Sequence, residues 1–542
     1  MRRGPDTAFW IMMAALLLLT RLPAPAQYLS IDNVNLALAL EKFDPRSHQP
    51  QPPGYPFFVG FSRLVNIFFD DAEKTFHAVS LLTAAACLPA AAALGRRMFD
   101  AWCGHAAALL LLLNPVFWYS GLEGPLRPFL ALFSLLTAYC ALRAWSGEQR
   151  YVVWGALAVG VGSGFRPDLL AFLLPLWLVS AWFGTRSSKH LLIGAGALFV
   201  SIACWVGSLV YAYGGFEEFV RVTTDYLVDQ SRRESLVLGA SQSGWIRQFS
   251  RAVIWNGLGV VGWIWALPWF LASPQRRDLF NAKGLFLLIW LLPGLVAFTL
   301  IHVAAPGHTL ASIPVWCIAG AFVLRTAAQR WKPIGGREPV LADAPLVFAV
   351  SINLLLFLNN FPLPANPAPS RGMIESLKNA AAFGTFETSL GMVLWVDDVA
   401  RDTLEEVNAY IATDRPTVIV TQDVHEKEWF LNWRILRYYH PAREIWIAVE
   451  HKSPAELILA RRDQASSIQT GSPVTAQLPP SVRILWLLEP GGRFQRELSK
   501  AASLKGGQRI FYTDLDETSG PLRVLDFVFA PGGDSRARDG IQ

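Results

Sequence analysis

Long apolar segments separated by short polar ones occupy roughly the first two thirds of the chain. A membrane-spanning helix needs about 20 mostly apolar residues, and stretches close to that length recur with few charges inside them. The pattern predicts about eleven spans, near 7–23, 75–95, 102–120, 124–144, 151–165, 168–184, 190–213, 251–272, 284–302, 309–326 and 342–360. We therefore expect an α-helical polytopic membrane domain over residues 1–360.

The pattern changes after this domain. Residues 361–397 begin with a proline-rich stretch and are predicted to form a linker. Beyond them, short β-rich runs at 417–421, 444–449, 482–488, 509–513 and 522–529 alternate with helix-like runs. This alternation predicts a small α/β domain over residues 398–542. The pairs Gly491-Gly492 and Gly506-Gly507 are typical of turns and do not form a phosphate-binding glycine fingerprint. We find no internal repeat.

Basic residues in the short loops predict the orientation. Cytoplasmic loops carry an excess of Lys and Arg, and alternate loops here are short and basic. The residues concerned are Arg2, Arg3, Arg96, Arg97, Arg143, Arg150, Arg186, Lys189, Arg276, Arg277, Lys283, Arg325, Arg330, Lys332 and Arg337. This places the N-terminus inside, a long first loop at 24–74 outside, and, with an odd number of spans, the C-terminal domain outside.

The composition agrees with a membrane protein. Hydrophobic residues make up 53% of the chain and charged residues 16%, against about 25% charged in typical soluble domains. The net charge of +5 lies mostly in the short loops, so it is a topology signal and does not indicate a nucleic-acid partner. The five cysteines lack metal-type or disulfide-type spacing, and we predict no metal site.

The first apolar segment has an alternative interpretation. Arg2 and Arg3 precede it, and Ala24-Pro25-Ala26 is similar to a signal-peptidase site, so it is either a span or a cleaved signal peptide. Both interpretations place the first long loop outside.

That loop holds two candidate catalytic residues, Asp32 and His48. Asp32 precedes an apolar run at 33–42, too short to span and predicted to lie in the interface. Asp32 is either the N-cap of this helix or a carboxylate within reach of a lipid head group. His48 opens the segment HQPQPPGYP, whose prolines fix φ and remove backbone donors. The segment is either a stiff wall beside a cavity or a rigid connector.

Three tight turns add further candidates. Glu123 and Arg127 lie on one turn, where they either serve chemistry or form an i,i+4 pair. Arg166 lies on the next turn. It either binds a phosphate, whose oxygens match the planar guanidinium, or forms a salt bridge with Asp168. His302 and His308 lie on the last turn and are candidates for phosphate binding; their spacing is weak evidence for zinc. The mixed charges at 214–250 predict a solvated helix face or a mobile lid.

Together these residues carry a family resemblance. An acid after the first span, an apolar helix and H-x-P-x-P-P-G-Y-P before the second span resemble the GT-C glycosyltransferases. Among these, the chain is similar to bacterial relatives of the protein O-mannosyltransferases and lipid A aminoarabinose transferases. The turn GFRPDLL from Gly164 and the stretch HVAAPGHTLASIP from His302 also resemble that superfamily. The resemblance covers about residues 1–360.

The resemblance implies a sugar donor linked to polyprenyl phosphate, transfer on the outer face of the bacterial cytoplasmic (inner) membrane, and a glycan, lipid or protein acceptor. Asp32 matches the first-loop acid of the family and is the expected general base. Many relatives carry Asp-Glu where this chain has Asp32-Asn33. The second carboxylate is then Glu123 or absent, which leaves metal dependence open; no cofactor is indicated. Arg166, with Arg127, His302 or His308, is expected to bind the donor phosphate.

Other functions remain open alternatives. A transporter or flippase is disfavoured because the chain shows no repeat and its predicted spans are nearly free of charge in mid-membrane. A lipid-linked glycan ligase shares the compartment and donor type, but its catalytic groups are expected on a long loop late in the chain. A mere anchor for the C-terminal domain needs far fewer spans.

Overall fold

In the computed structural model, residues 4–23, 26–185, 187–279, 281–330, 343–359, 364, 372–422, 433–460, 467–507 and 510–532 are described. The helices are α1 Gly4–Arg21, α2 Ile31–Glu41, α3 Pro56–Phe69, α4 Ala72–Met98, α5 Ala101–Leu112, α6 Pro115–Glu123, α7 Pro128–Trp145, α8 Arg150–Phe165, α9 Asp168–Thr185, α10 Ser188–Tyr213, α11 Phe216–Ser231, α12 Gln242–Gly257, α13 Leu267–Leu271, α14 Ala282–Leu300, α15 Ile313–Arg330, α16 Ala344–Leu358, α17 Met373–Phe386, α18 Leu390–Tyr410, α19 Trp433–Tyr439 and α20 Arg493–Ala501.

The chain divides into two compact units. The first comprises Met1–Ala26 and Pro52–Leu394, and the second comprises Gln27–Gln51 and Trp395–Gln542. This division differs from the predicted domains, because it groups about half of the first long loop, residues 27–51, with the C-terminal residues, and the start of α18 with the membrane helices. The boundaries at 360 and 398 stay a prediction.

The first unit is helical. Within the described residues, α4, α7, α10 and α14 are long and apolar enough to cross a membrane, and α5 with α6 forms a fifth candidate bent by 51°. Shorter apolar helices accompany them, among them α3 and α16. The polytopic helical architecture is confirmed, whereas the count of about eleven spans stays a prediction. The predicted span at 251–272 is not one helix, since α12 ends at Gly257 and α13 begins at Leu267.

The break between α5 and α6 is held by polar side chains. Asn114 caps α6: its Oδ1 accepts from the N–H groups of Val116 and Phe117 at 3.0 and 3.3 Å, and its Nδ2 donates to the Leu258 carbonyl at 2.9 Å. Arg21 donates to the Leu112 carbonyl at 3.2 Å, which satisfies an acceptor that the break releases. All residues of α6 are buried, so these bonds fix where its C-terminal end lies.

The second unit is an α/β structure. Its strands are β1 Thr417–Gln422, β2 Glu444–Val449, β3 Ala455–Ala460, β4 Ser467–Gly471, β5 Val474–Leu478, β6 Ser481–Leu487, β7 Lys505–Gly506, β8 Ile510–Asp516, β9 Leu522–Val524 and β10 Phe527–Pro531. One sheet has the order β4-β3-β2-β1-β6-β8-β7 and the other β5-β10-β9. β1 lies parallel between β2 and β6, with antiparallel strands outside them. The predicted C-terminal α/β region is confirmed.

The start of the first long loop is part of this α/β unit. The Asp397 carboxylate accepts from the backbone N–H groups of Gln27 and Tyr28 at 2.9 to 3.0 Å. The Tyr439 hydroxyl accepts from the Leu29 N–H at 2.9 Å. Residues 33–39 of α2 are all buried, and α2 packs against α19. The N-cap of α2 is Ser30 and not Asp32, which corrects the predicted capping role of Asp32.

Candidate functional site

Four of the predicted site residues lie together in the helical unit. We call Arg127, Arg166, His302 and His308 the arginine–histidine cluster. The two arginines and His302 all act electrostatically on His308, although the four side chains come from three turns that are far apart in the sequence. Burial is the main cause that holds the pKa of His308 well below its usual range, and these three neighbours lower it further. His308 is therefore neutral at physiological pH.

Arg127 is fixed from two sides. Its Nη1 lies 3.3 Å from Glu123 Oε2, and both side chains are largely buried. On the other side, the turn Pro306–Ala311 passes so closely that a Cβ built on Gly307 would lie 2.2 Å from Arg127 Cδ. Only glycine at position 307 leaves room for the arginine. The predicted i,i+4 pair is present, and it holds the guanidinium in the cluster.

Arg166 follows the last residue of α8. Its Nη2 and Nε donate to the two carboxylate oxygens of Asp168 at 2.9 and 3.3 Å, and its guanidinium lies 5.6 Å from the ring centre of Tyr55. The bidentate pair and the aromatic contact orient the planar fork. The predicted salt bridge to Asp168 is thus present.

The hydrogen bonding of His308 determines its tautomer. Its Nδ1 accepts from the backbone N–H of Ala304 at 3.3 Å. A ring nitrogen that accepts carries no proton, so the proton of the neutral ring lies on Nε2. His308 therefore presents a permanent N–H donor that does not depend on protonation.

His302 lies beside an acid that the sequence did not single out. Its Nδ1 is 3.6 Å from Glu234 Oε2. The other carboxylate oxygen, Oε1, lies 3.1 Å from both Arg247 Nε and Arg251 Nη1. The His302 side chain keeps 22% of its surface exposed, so the ring remains reachable from outside the protein.

The end of α14 positions the histidine turn. Its last carbonyls, normally unsatisfied, accept from three groups that precede or belong to α12. Gln248 Nε2 donates to Phe298, Trp245 Nε1 to Thr299 and the Leu236 N–H to Leu300, at 2.6, 3.1 and 3.0 Å. Since His302 follows α14 by only two residues, these bonds fix the start of its turn.

A further carboxylate, Glu387, was also missed by the sequence analysis. Burial raises its pKa above the ordinary value, while Arg251, a hydrogen bond from Trp255 and Arg127 oppose the rise. It lies in the segment predicted as a linker, so no pattern in the sequence marks it. Glu234 had a weak signal, because it belongs to the mixed-charge run before α12. The arginine–histidine cluster is thus surrounded by four carboxylates and two further arginines, which are Glu123, Asp168, Glu234, Glu387, Arg247 and Arg251.

Asp32 and His48 belong to the second compact unit. Asp32 is exposed in the first turn of α2. His48 has a left-handed backbone with φ of 56°. Burial, and then the charge of Arg434, lower the pKa of His48 to about 3, so this ring is neutral too. Within the described residues, no group of three or more His, Cys, Asp or Glu side chains is arranged to hold a metal ion.

One protein-family model matches part of this chain. Residues 50–210 match the family model described as dolichyl-phosphate-mannose-protein mannosyltransferase. The predicted resemblance to the GT-C membrane glycosyltransferases is confirmed, and with it the enzyme class. The matched segment contains Glu123, Arg127 and Arg166, but neither Asp32 nor the two histidines.

Solved structures show the same fold. The chain resembles ArnT from Cupriavidus metallidurans bound to undecaprenyl phosphate (TM-score 0.55, 13% identity) and in the apo state (TM-score 0.56, 14% identity). Both matches cover 96% of this chain and 100% of ArnT. The oligosaccharyltransferase of Archaeoglobus fulgidus in its apo form matches with a TM-score of 0.41 and 13% identity. This match covers 79% of this chain and 64% of the oligosaccharyltransferase chain. A comparison with curated proteins gives no match.

Proposed function

We propose that the enzyme transfers a sugar from a polyprenyl-phosphate donor to an acceptor hydroxyl at the outer face of the bacterial cytoplasmic membrane. The observation that carries the proposal is the convergence of Arg127, Arg166 and neutral His308 in the helical unit. Two arginine forks and a fixed N–H donor form the set of groups that recognises phosphate. ArnT, which shares the fold, has been solved with undecaprenyl phosphate bound, and this supports the same donor class here.

The chemistry requires charge stabilisation at the leaving group. When the bond between the anomeric carbon and the phosphate oxygen breaks, its electron pair stays on the phosphate, which gains negative charge. Donors held in place before the reaction stabilise such charge, and loss of one typically costs about 10²–10³-fold in kcat. Arg127 and Arg166 are oriented by Glu123 and Asp168, so little reorganisation accompanies phosphate binding.

His308 contributes without changing its charge. Its Nε2–H is available at any pH at which the fold persists, because Ala304 occupies Nδ1. A polyprenyl phosphate is a good leaving group and needs no proton from an acid. We therefore assign His308 the role of a neutral donor to a phosphate oxygen.

The remaining roles are predictions from the sequence. Asp32 is the predicted general base for the acceptor hydroxyl, a role generally worth about 10²–10⁴-fold, and His48 and Glu123 are its predicted neighbours. In the structure Glu123 is paired with Arg127, and this pair supports a role in holding the phosphate ligand rather than in proton transfer. The acceptor, whether glycan, lipid or protein, and any need for a divalent cation stay open.

The test uses the full-length protein in membranes and a panel of labelled polyprenyl-phosphate sugars. We expect Arg166→Gln and Arg127→Gln to lower donor turnover by about 10²–10³-fold. Arg221→Gln is the matched control, because Arg221 is an exposed residue of α11 paired with Glu218, and it should leave turnover unchanged. The proposal fails if the wild type consumes no donor of the panel, or if both cluster variants keep full turnover.

A further inference from the structure

An apolar pocket lies in the α/β unit, outside the arginine–histidine cluster. One wall is a stripe of α18 that consists of Val396, Val399, Ala400, Thr403 and Leu404. Their spacing of three and four residues places these side chains on one face of the helix. The pocket is narrow and open to the outside.

The opposite wall comes from two other segments. Ile435 and Leu436 belong to α19, and Leu29 and Ser30 directly precede α2. One turn farther along α18, buried Val407 packs with Leu436 in a hydrophobic core. The pocket is therefore the place where the apolar face of α18 leaves that core. All of its lining residues belong to the second compact unit.

Ser30 places a hydroxyl without a partner in this pocket. It occupies the N-cap of α2, where a serine side chain ordinarily accepts a hydrogen bond from the helix, but its side chain makes no such bond. The residue is only 3% exposed, and its Oγ has no hydrogen-bond partner among the described residues. A buried hydroxyl without a partner costs free energy, so the pocket contains a polar group that a ligand can satisfy.

The backbone that leads to this hydroxyl is held in place by hydrogen bonds. The Asp397 carboxylate accepts from the Gln27 N–H at 2.9 and 3.0 Å, and the Tyr439 hydroxyl accepts from the Leu29 N–H at 2.9 Å. These bonds fix the segment directly before Ser30. A site that is ordered in advance loses less entropy when a ligand binds.

The lining selects an uncharged, mostly apolar ligand. Of the ten lining residues, eight are apolar, and Ser30 and Thr403 carry hydroxyls. Thr403 Oγ1 already donates to the Val399 carbonyl at 2.8 Å, so Ser30 supplies the available donor. A buried water needs two to four polar partners, which such walls do not provide. An apolar chain with one hydrogen-bond acceptor fits this lining, and an acyl chain with its ester carbonyl has that structure.

We propose that the pocket holds one acyl chain of a bilayer glycerophospholipid, whose ester carbonyl accepts a hydrogen bond from Ser30 Oγ. Along the chain, the pocket is next to both points where the α/β unit joins the helical unit, because Leu29 is three residues after Ala26 and Trp395 directly follows Leu394. Lipid acyl chains are the apolar ligands that surround a membrane-spanning unit. Tryptophan, at the edge of this pocket, is enriched at membrane–water interfaces. The site does not depend on sugar transfer.

The experiment uses the full-length protein in vesicles of phosphatidylethanolamine and phosphatidylglycerol. A fraction of the phosphatidylethanolamine carries a diazirine on one acyl chain, and after illumination mass spectrometry of peptides locates the crosslinks. Crosslinks to α10, a candidate membrane span, are the internal reference for contact with lipid. The unfolding temperature of each variant is measured in detergent.

Two variants change the pocket and two are matched controls. Ala400→Trp fills the pocket, and Ser30→Ala removes its hydroxyl. Ala409→Trp and Ser499→Ala make the same kinds of change at exposed positions of α18 and α20.

We expect the wild type to form crosslinks in the peptides that contain residues 396–404 or 435–436. Ala400→Trp should lose these crosslinks, whereas both controls should keep them. Ser30→Ala should lower them about 2–10-fold, since one hydrogen bond is lost. Its unfolding temperature should stay unchanged, because the Ser30 hydroxyl does not cap α2.

The inference is overturned if the wild type labels α10 but not the pocket peptides, or if Ala400→Trp keeps the pocket label. It is also overturned if undecaprenyl phosphate, and not unlabelled phosphatidylethanolamine, competes for the pocket, because the pocket then holds a prenyl chain. A lower unfolding temperature of Ser30→Ala with unchanged labelling would show that Ser30 is an ordinary cap. These outcomes are independent of donor turnover, which tests the proposed function.

Discussion

Gly307→Ala offers a sharp test of the cluster, because it alters Arg127 without touching any charge. A Cβ at position 307 would lie 2.2 Å from Arg127 Cδ, 3.2 Å from its Cγ and 2.9 Å from Ser120 Oγ. Carbon atoms in contact stay about 3.5–4.0 Å apart, so the arginine stem has to retreat by more than an ångström. Overpacking of this kind costs about 1–3 kcal/mol, and a misplacement of about 1 Å costs on the order of 10² in rate.

The assay compares donor turnover and thermal unfolding of the full-length protein. We expect Gly307→Ala to lose roughly 10²-fold in turnover, beyond what its lower unfolding temperature explains at the assay temperature. Gly207→Ala in α10 is the matched control, since a Cβ there meets nothing within 4 Å, and an alanine in a helix interior is neutral to stabilising. Wild-type turnover and stability in Gly307→Ala would show that Arg127 is not held by this turn, or that its position does not matter.

Two further predictions concern the architecture. Asn114→Ala removes the cap of α6 and its bond to the Leu258 carbonyl, and loss of a cap costs about 0.5–2 kcal/mol. We expect a lower unfolding temperature and, because α6 leads to Glu123 and Arg127, slower donor turnover. An unchanged unfolding temperature would contradict the role of Asn114 at the break between α5 and α6. His48→Gln tests how stability depends on pH, because the pKa of His48 falls from 6.5 to about 3 on folding. Between these two pH values the unfolded state binds more protons than the folded state. The wild type therefore loses stability as the pH falls from 6.5 to about 3. In unfolding scans between about pH 7 and 4, the variant should lack part of this loss; identical pH profiles would refute the burial of a neutral His48.

Several features of the fold follow from the sequence alone. Length and apolarity predict helices such as α4 and α14, because burial of backbone groups in lipid leaves few alternatives to a helix. The β-rich runs that became β1, β2, β6 and β8 were predicted, since each combines apolar residues with adjacent turn signals. The strands β3, β4 and β5 were not, because their short polar-apolar runs gain strand structure only through their neighbours in the sheets.

For the site, the sequence indicates Arg127, Arg166, His302 and His308. Charged residues on tight turns beside apolar helices cost free energy unless they are paired or functional. The sequence did not predict Glu234 or Glu387. Their sequence surroundings are a mixed-charge run and a proline-rich linker, and nothing local distinguishes them from solvated surface. They reach the cluster only because α12, α14 and α17 pack together.

The sequence and the tertiary structure determine different features of this protein for a physical reason. The sequence determines which segments avoid water and which turns carry charge, because both depend only on residue types and short spacings. The state of each charged group depends on which partner stands opposite, and partners come from turns far apart along the chain. Arg127 meets Gly307 and the Gln27 and Tyr28 amides meet Asp397 only after long-range packing. The tertiary structure therefore decided that His302 lies beside Glu234 while His308, on the same turn, lies near Arg127 and Arg166.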